Sequence, residues 1–185
     1  NLMVQEGLSI AVYELEHFMQ WGTPEDLEEY NRWSKAFNAI ATKTLPDKVF
    51  FDGTTLISMA GRGARFHKEN HKRPKPLINL SGKPMVIQAT KSLPKSKQYH
   101  FVALEESYIK HNLKSVISKE FPTNDFTLLK EVSQGQACSC IAALKNIPLN
   151  EPLTISACDH GILYNEQNFI KMVKNKNIDI IVWAN

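Results

Sequence analysis

From Leu56 to Trp183 the chain alternates short apolar, β-branched runs with helix-length amphipathic segments, a pattern that restricts it to an α/β fold. Strands are expected at Leu56–Met59, Tyr99–Leu104, Phe126–Leu129, Pro152–Ala157 and Ile178–Trp183. Helices are expected at Met85–Leu93, Glu105–Phe121, Gln136–Lys145 and Glu166–Asn175. In the second of these, Tyr108, Ile109, Leu113, Val116 and Ile117 recur at helical spacing. Pro84 stands at a helix start, where proline is tolerated. Strands separated by helices pair in parallel through right-handed crossovers. The expected architecture is three-layered and Rossmann-like: a mostly parallel sheet with helices on both faces.

Ligands of such sheets bind beyond the carboxyl ends of the strands. The run Thr54–Met59 stops there at Gly61-Arg62-Gly63-Ala64-Arg65. Two glycines let the backbone approach an anion closely, and consecutive N–H groups in such a turn form a concavity for phosphate oxygens. A cation-rich loop follows and ends in Pro74-Lys75-Pro76-Leu77. Arg65 and Lys75 are the side chains suited to neutralise a polyphosphate. Asp159, after Thr154–Ala157, falls at the same sheet edge. A carboxylate at that position suits Mg²⁺, which takes oxygen ligands and keeps waters or phosphate oxygens in its other positions.

The net charge of +3 conceals an asymmetry. Residues 1–34 carry seven acids and one base, a net of −6, so the remainder carries +9. Much of the excess lies between Arg62 and Lys75, where six bases stand against Glu69 alone. This cluster fits a small polyanion. It lacks the interleaved aromatics of a single-strand nucleic-acid platform, so no nucleic-acid partner is expected. No apolar run reaches the ~18 residues of a membrane helix. With no secretory signal and an odd count of three cysteines, reduced thiols and a cytoplasmic location are expected.

Competing chemistries are weaker. Cys138 and Cys140, two apart on a helix, point to different faces and do not converge on zinc with Cys158. His67 and His71 sit among cations, which disfavours a metal between them. A dinucleotide site wants a third glycine where Phe66 stands, and the long Arg62–Lys83 insertion breaks the tight strand–turn–helix geometry.

The first fifty residues follow another pattern. Ser9–Tyr13 and His17–Trp21 read as strands. Thr23, Pro24, Glu25 and Asp26 make a strong helix start, with the helix running to about Ala41 and burying Leu27, Tyr30, Trp33, Ser34 and Phe37. Lys43–Asp52 reads as a connector, and the domain boundary is expected near Lys43–Phe51.

The motifs Met59-Ala60-Gly61-Arg62-Gly63-Ala64-Arg65-Phe66, Arg73-Pro74-Lys75-Pro76-Leu77, Gly82-Lys83-Pro84-Met85, Gln134-Gly135-Gln136-Ala137 and Asp159 resemble the sugar-1-phosphate nucleotidyltransferases, in order from Thr55 to Trp183. The resemblance implies that Ala60, Gly61, Gly63, Arg65 and Lys75 hold a nucleoside triphosphate. It implies that Gln134 and Gly135 lie against the base and that Asp159 binds Mg²⁺, with Arg65, Lys75 and Asp159 as the catalytic set. The implied activity is transfer of a nucleotidyl group to a sugar phosphate or similar capsule or envelope precursor, with release of pyrophosphate. The alternative is a non-catalytic nucleotide-sensing or assembly domain of the same fold. No membrane insertion is expected, and self-association is possible. Phe18 to Leu27 resembles the closing segment of such a domain, yet it comes first. Two readings follow: residues 1–45 are the tail of a preceding domain plus connector, or a permuted element that completes the sheet. Residues 46–185 would then be the nucleotide-binding half of an incomplete domain, with sugar contacts and a second metal ligand elsewhere and little turnover by itself.

Overall fold

In a computed structural model of the chain, the residues described are 5, 7, 9–15, 17–38, 50–68 and 73–184. At its centre is a parallel sheet of β3 (Phe50–Ser58), β6 (Lys95–Leu104), β7 (Asn124–Leu129) and β8 (Leu153–Ala157), ordered β7-β6-β3-β8. Alternation along β3 sends neighbours to opposite faces. Leu56 packs with Val102, Cys140 and Ala143 beneath α6 (Gln136–Leu144). Ile57 packs with Phe101, Val86 and Ile87 beneath α3 (Met85–Ser92), and Leu113 and Ile117 of α5 (Leu113–Ser118) join the same cluster. Leu56 and Ile57 are both fully excluded from solvent. Helices therefore flank the parallel sheet on both faces, as the alternating pattern leads one to expect.

Three expected boundaries are corrected. The first strand of the sheet begins at Phe50, not Leu56, because Phe51 is buried and pairs with Ser96. The connector is thus shorter than Lys43–Asp52, and residues 39–49 lie outside those described. The helix expected over Glu105–Phe121 is two: α4 (Glu105–Lys110) and α5, broken where Asn112 adopts a left-handed φ of 48°. That break turns Leu113 and Ile117 inward and leaves Ile109 exposed. Trp33 is exposed too, because the helix α1 (Pro24–Asn38) turns Leu27 and Tyr30 toward the core instead; the Phe37 side chain lies outside the described residues.

The N-terminal strands join the second half of the chain. β1 (Ile10–Glu14) pairs in parallel with β10 (Ile180–Ala184), and β2 (His17–Gln20) pairs antiparallel with β9 (His160–Leu163). Tyr13 sits edge-on to Tyr164, Phe169 and Trp183. Thr23 caps α1 as expected: its hydroxyl accepts the Asp26 N–H at 3.2 Å, and the Asp26 carboxylate accepts the Thr23 N–H at 3.1 Å. Two further short strands, β4 (Asn79–Leu80) and β5 (Lys83–Pro84), form a hairpin before α3, and α7 (Glu166–Val173) packs Phe169 into the main core. Among the described residues no helix is long and apolar enough to cross a membrane.

Candidate functional site

Beyond Ser58 the chain leaves the sheet through Met59 and Ala60, both buried, into Gly61. Gly63 has a φ of 63°, and its carbonyl accepts the Phe66 N–H at 3.0 Å, which starts the short helix α2 (Ala64–Lys68). A Cβ at Gly63 would lie 3.0 Å from Lys75 Cβ, so conformation and contact both call for glycine there. At Gly61, by contrast, a Cβ would meet no atom of the described residues within 4 Å.

Lys75 begins a 3₁₀ turn with Pro76 and Leu77, both buried, after an extended Pro74. The two prolines and the buried leucine fix the lysine backbone opposite the glycine turn. Its Nζ donates to Asp159 Oδ2 at 2.5 Å, and each side chain is 18 % exposed. The same Nζ lies 5.6 Å over the Phe66 ring. Asp159 stands two residues beyond the end of β8, so a loop after β3 and the segment after its neighbour β8 meet in one ion pair at the carboxyl edge of the sheet. The Asp159 carbonyl accepts the Trp21 backbone N–H at 3.2 Å, tying the N-terminal segment to the same point.

These groups line a cleft of about 260 Å³. Ala60, Gly61, Gly63 and Lys75 line it together with Gly135, Gln136, Cys158 and Asp159. Asp159 is the only carboxylate among the described residues that line it. Cys158 is no thiolate: burial first, and then the charge of Asp159, push its thiol up to about 12. Ser133 Oγ donates to the Gly135 carbonyl at 2.7 Å and shares a hydrogen bond with Ser139 Oγ, also at 2.7 Å. That pair shapes the loop leading into α6, whose N-terminus has no side-chain cap and opens on the cleft. A larger groove of about 520 Å³ adjoins the cleft along Met59, Gly61, Pro76 and Val132, and carries Arg62, Lys110, His111 and Lys130 with Glu106 and Glu131.

Of the residues singled out from sequence, Ala60, Gly61, Gly63, Lys75, Gly135 and Asp159 converge on the cleft. Arg65, on α2, and Gln134 are exposed and are not among its lining residues; Gln136 lines it instead. The His67 side chain and His71 lie outside the described residues, as do Glu69 and Lys72 of the basic loop. Cys138 is exposed and Cys140 buried, so the two point apart as their spacing requires. Ser133, Ser139 and Trp21 escaped the sequence reading. The serines carry no signal of their own, and Trp21 was visible only as a strand residue.

Among the described residues no group of three or more His, Cys, Asp or Glu side chains converges. A lone carboxylate in a cleft beside a lysine is a poor site for a bare ion. It is a chemically suitable partner for a hard cation that brings phosphate and water oxygens with it. No protein-family model matches the chain, and no curated protein matches it significantly.

Proposed function

We propose that the chain provides a nucleotidyl-transfer site, moving a nucleotidyl group from a nucleoside triphosphate to a phosphorylated sugar or similar envelope precursor with release of pyrophosphate. The observation that carries this reading is the Lys75–Asp159 pair at 2.5 Å, facing the Gly61–Gly63 turn in one cleft. Phosphoryl chemistry of this kind asks the protein mainly for positioning and charge neutralisation. The turn amides and Lys75 would hold phosphate oxygens. Arg65, exposed on α2, would have to swing toward the cleft to add a second cation. One cation at ~4 Å from a phosphate is worth about 4 kcal/mol at an effective dielectric of ~20, before desolvation. Asp159 would hold Mg²⁺, which supplies further charge neutralisation when bound. The acceptor's phosphate oxygen then attacks the α-phosphorus, and the bond to the pyrophosphate oxygen breaks.

The fold belongs to this proposal as well: a nucleotidyltransferase-like sheet in which residues 17–23 act as its closing segment. The β2–β9 ladder and the Trp21–Asp159 bond support the permuted reading of that segment over its being a foreign tail. The test is a pyrophosphate-release screen of the full-length protein with the common nucleoside triphosphates against a panel of phosphosugars. Release with at least one pair, dependent on both substrates, is the expected result. Nucleotide binding with no release for any acceptor would instead identify a sensor.

A further inference from the structure

Asp159 meets two candidate cations in one small space. Lys75 Nζ stands 2.5 Å from its Oδ2, and both side chains are largely shielded from solvent. An ion coordinated by the same carboxylate would face the ammonium across a distance at which two positive charges repel strongly. Among the described residues no second carboxylate lines the cleft to share the load. The lysine backbone is fixed by Pro74 and Pro76 in its 3₁₀ turn, while its four-carbon stem carries several rotatable bonds. Gly61 belongs to the same cleft of about 260 Å³. Lys75, Asp159 and the glycine turn thus share one cleft.

We propose that Lys75 and a divalent cation are mutually exclusive partners of Asp159, and that the cleft takes a preformed metal–polyphosphate complex. Its phosphate oxygens draw Lys75 away as its metal takes the carboxylate. This rests on the nucleotidyl-transfer reading. A bare cation must displace the lysine and finds one protein ligand. A metal-free polyphosphate can recruit Lys75 but leaves its own charge facing an uncovered Asp159. Only the complex satisfies all three charges, so each component strengthens the binding of the other by the same factor.

The experiment is calorimetry on the full-length protein, titrated with Mn²⁺ alone, with metal-free tripolyphosphate, and with preformed Mn²⁺–tripolyphosphate. The complex is expected to bind at least tenfold tighter than either component. In Lys75→Met, which keeps the apolar stem, bare Mn²⁺ should bind several-fold tighter than in the wild type, and the gain should vanish in Lys75→Met/Asp159→Asn. Lys75→Gln should reproduce the gain, with far-UV circular dichroism showing each variant folded. Equal binding of bare Mn²⁺ by wild type and both lysine variants overturns the exclusion. Equal affinity for tripolyphosphate with and without metal overturns the joint entry. If neither polyphosphate species binds, the nucleotidyl-transfer reading itself fails and this proposal falls with it.

Discussion

Trp21 donates its backbone N–H to the carbonyl of Asp159 at 3.2 Å, one residue before β9 begins its antiparallel pairing with β2. The Trp21 ring lies in the core with Leu27, Phe66, Ile78, Leu80 and Met85, and is 2 % exposed. Phe66 in turn lies under Lys75. One aromatic residue thus touches both arms of the site, through its backbone to Asp159 and through its ring cluster to the helix that follows the glycine turn. Asp159 owes its position to the N-terminal segment as much as to β8.

Gly161→Ala tests that arrangement. A Cβ there would collide with the Trp21 ring, and the neighbouring backbone pairs with Met19. Overpacking of this kind costs roughly 1–3 kcal/mol. A urea melt should show that loss, and nucleotide affinity should fall with it because Asp159 shifts. Trp21→Ala should cost more, about 3–5 kcal/mol, as the loss of a large buried aromatic does.

The two glycines of the turn separate conformation from ligand approach. Gly63→Ala meets both an unfavourable φ and the Lys75 stem, so about 1–2 kcal/mol of stability should be lost. Gly61→Ala meets nothing among the described residues, and its stability should stay within about 0.5 kcal/mol of wild type. If phosphate approaches Gly61, its triphosphate affinity should nevertheless drop by tenfold or more, measured by calorimetry.

His100 predicts a pH dependence of stability. It is 2 % exposed, its Nε2 lies 2.7 Å from Thr127 Oγ1, and burial lowers its pKa below the ordinary 6.5 against a weaker opposing pull from Asp125. The unfolded chain therefore takes up a proton that the folded chain refuses. Stability supplied by neutral His100 is intact above about pH 6.5 and declines as pH falls toward the folded pKa, by up to about 1.4 kcal/mol per pH unit. Denaturant melts of wild type and His100→Asn between pH 7.5 and 5 should show a shallower decline in the variant.

Glu120, just after α5, accepts from Lys91 of α3 and, at 2.9 Å, from Lys83 of β5. These contacts, Lys91 first, hold its carboxyl below the usual 4.5. Its contribution is present above that pH and is lost as pH falls through the folded pKa. The side chains are partly exposed, so Glu120→Gln should cost no more than about 1 kcal/mol, and less in high salt.

The parallel sheet was legible because Leu56, Ile57, Phe101 and Val102 stand in apolar runs that bury both faces of a strand. The capped start of α1 was legible for a local reason too, since Thr23 and Asp26 satisfy each other. What escaped depends on distant partners. Phe50–Asp52 reads as connector until Ser96 is there to pair with Phe51. His160–Leu163 is too short to declare itself a strand without β2, and Asn112 gives little warning that a helix with good periodicity breaks there. At the site, Lys75 and Asp159 were each visible as charged residues at the ligand edge, but their direct contact was not. Neither was the outward placement of Arg65 and Gln134, which depends on how α2 and the loop before α6 turn.

The most direct test is the rate of pyrophosphate release from the full-length protein and its Asp159→Asn variant, each saturated with the triphosphate and acceptor found by screening. A fall of at least 100-fold in the variant, with far-UV circular dichroism showing it folded, is expected if this carboxylate serves the transfer. An unchanged rate in a folded Asp159→Asn protein would contradict it and remove the Lys75–Asp159 cleft from the chemistry.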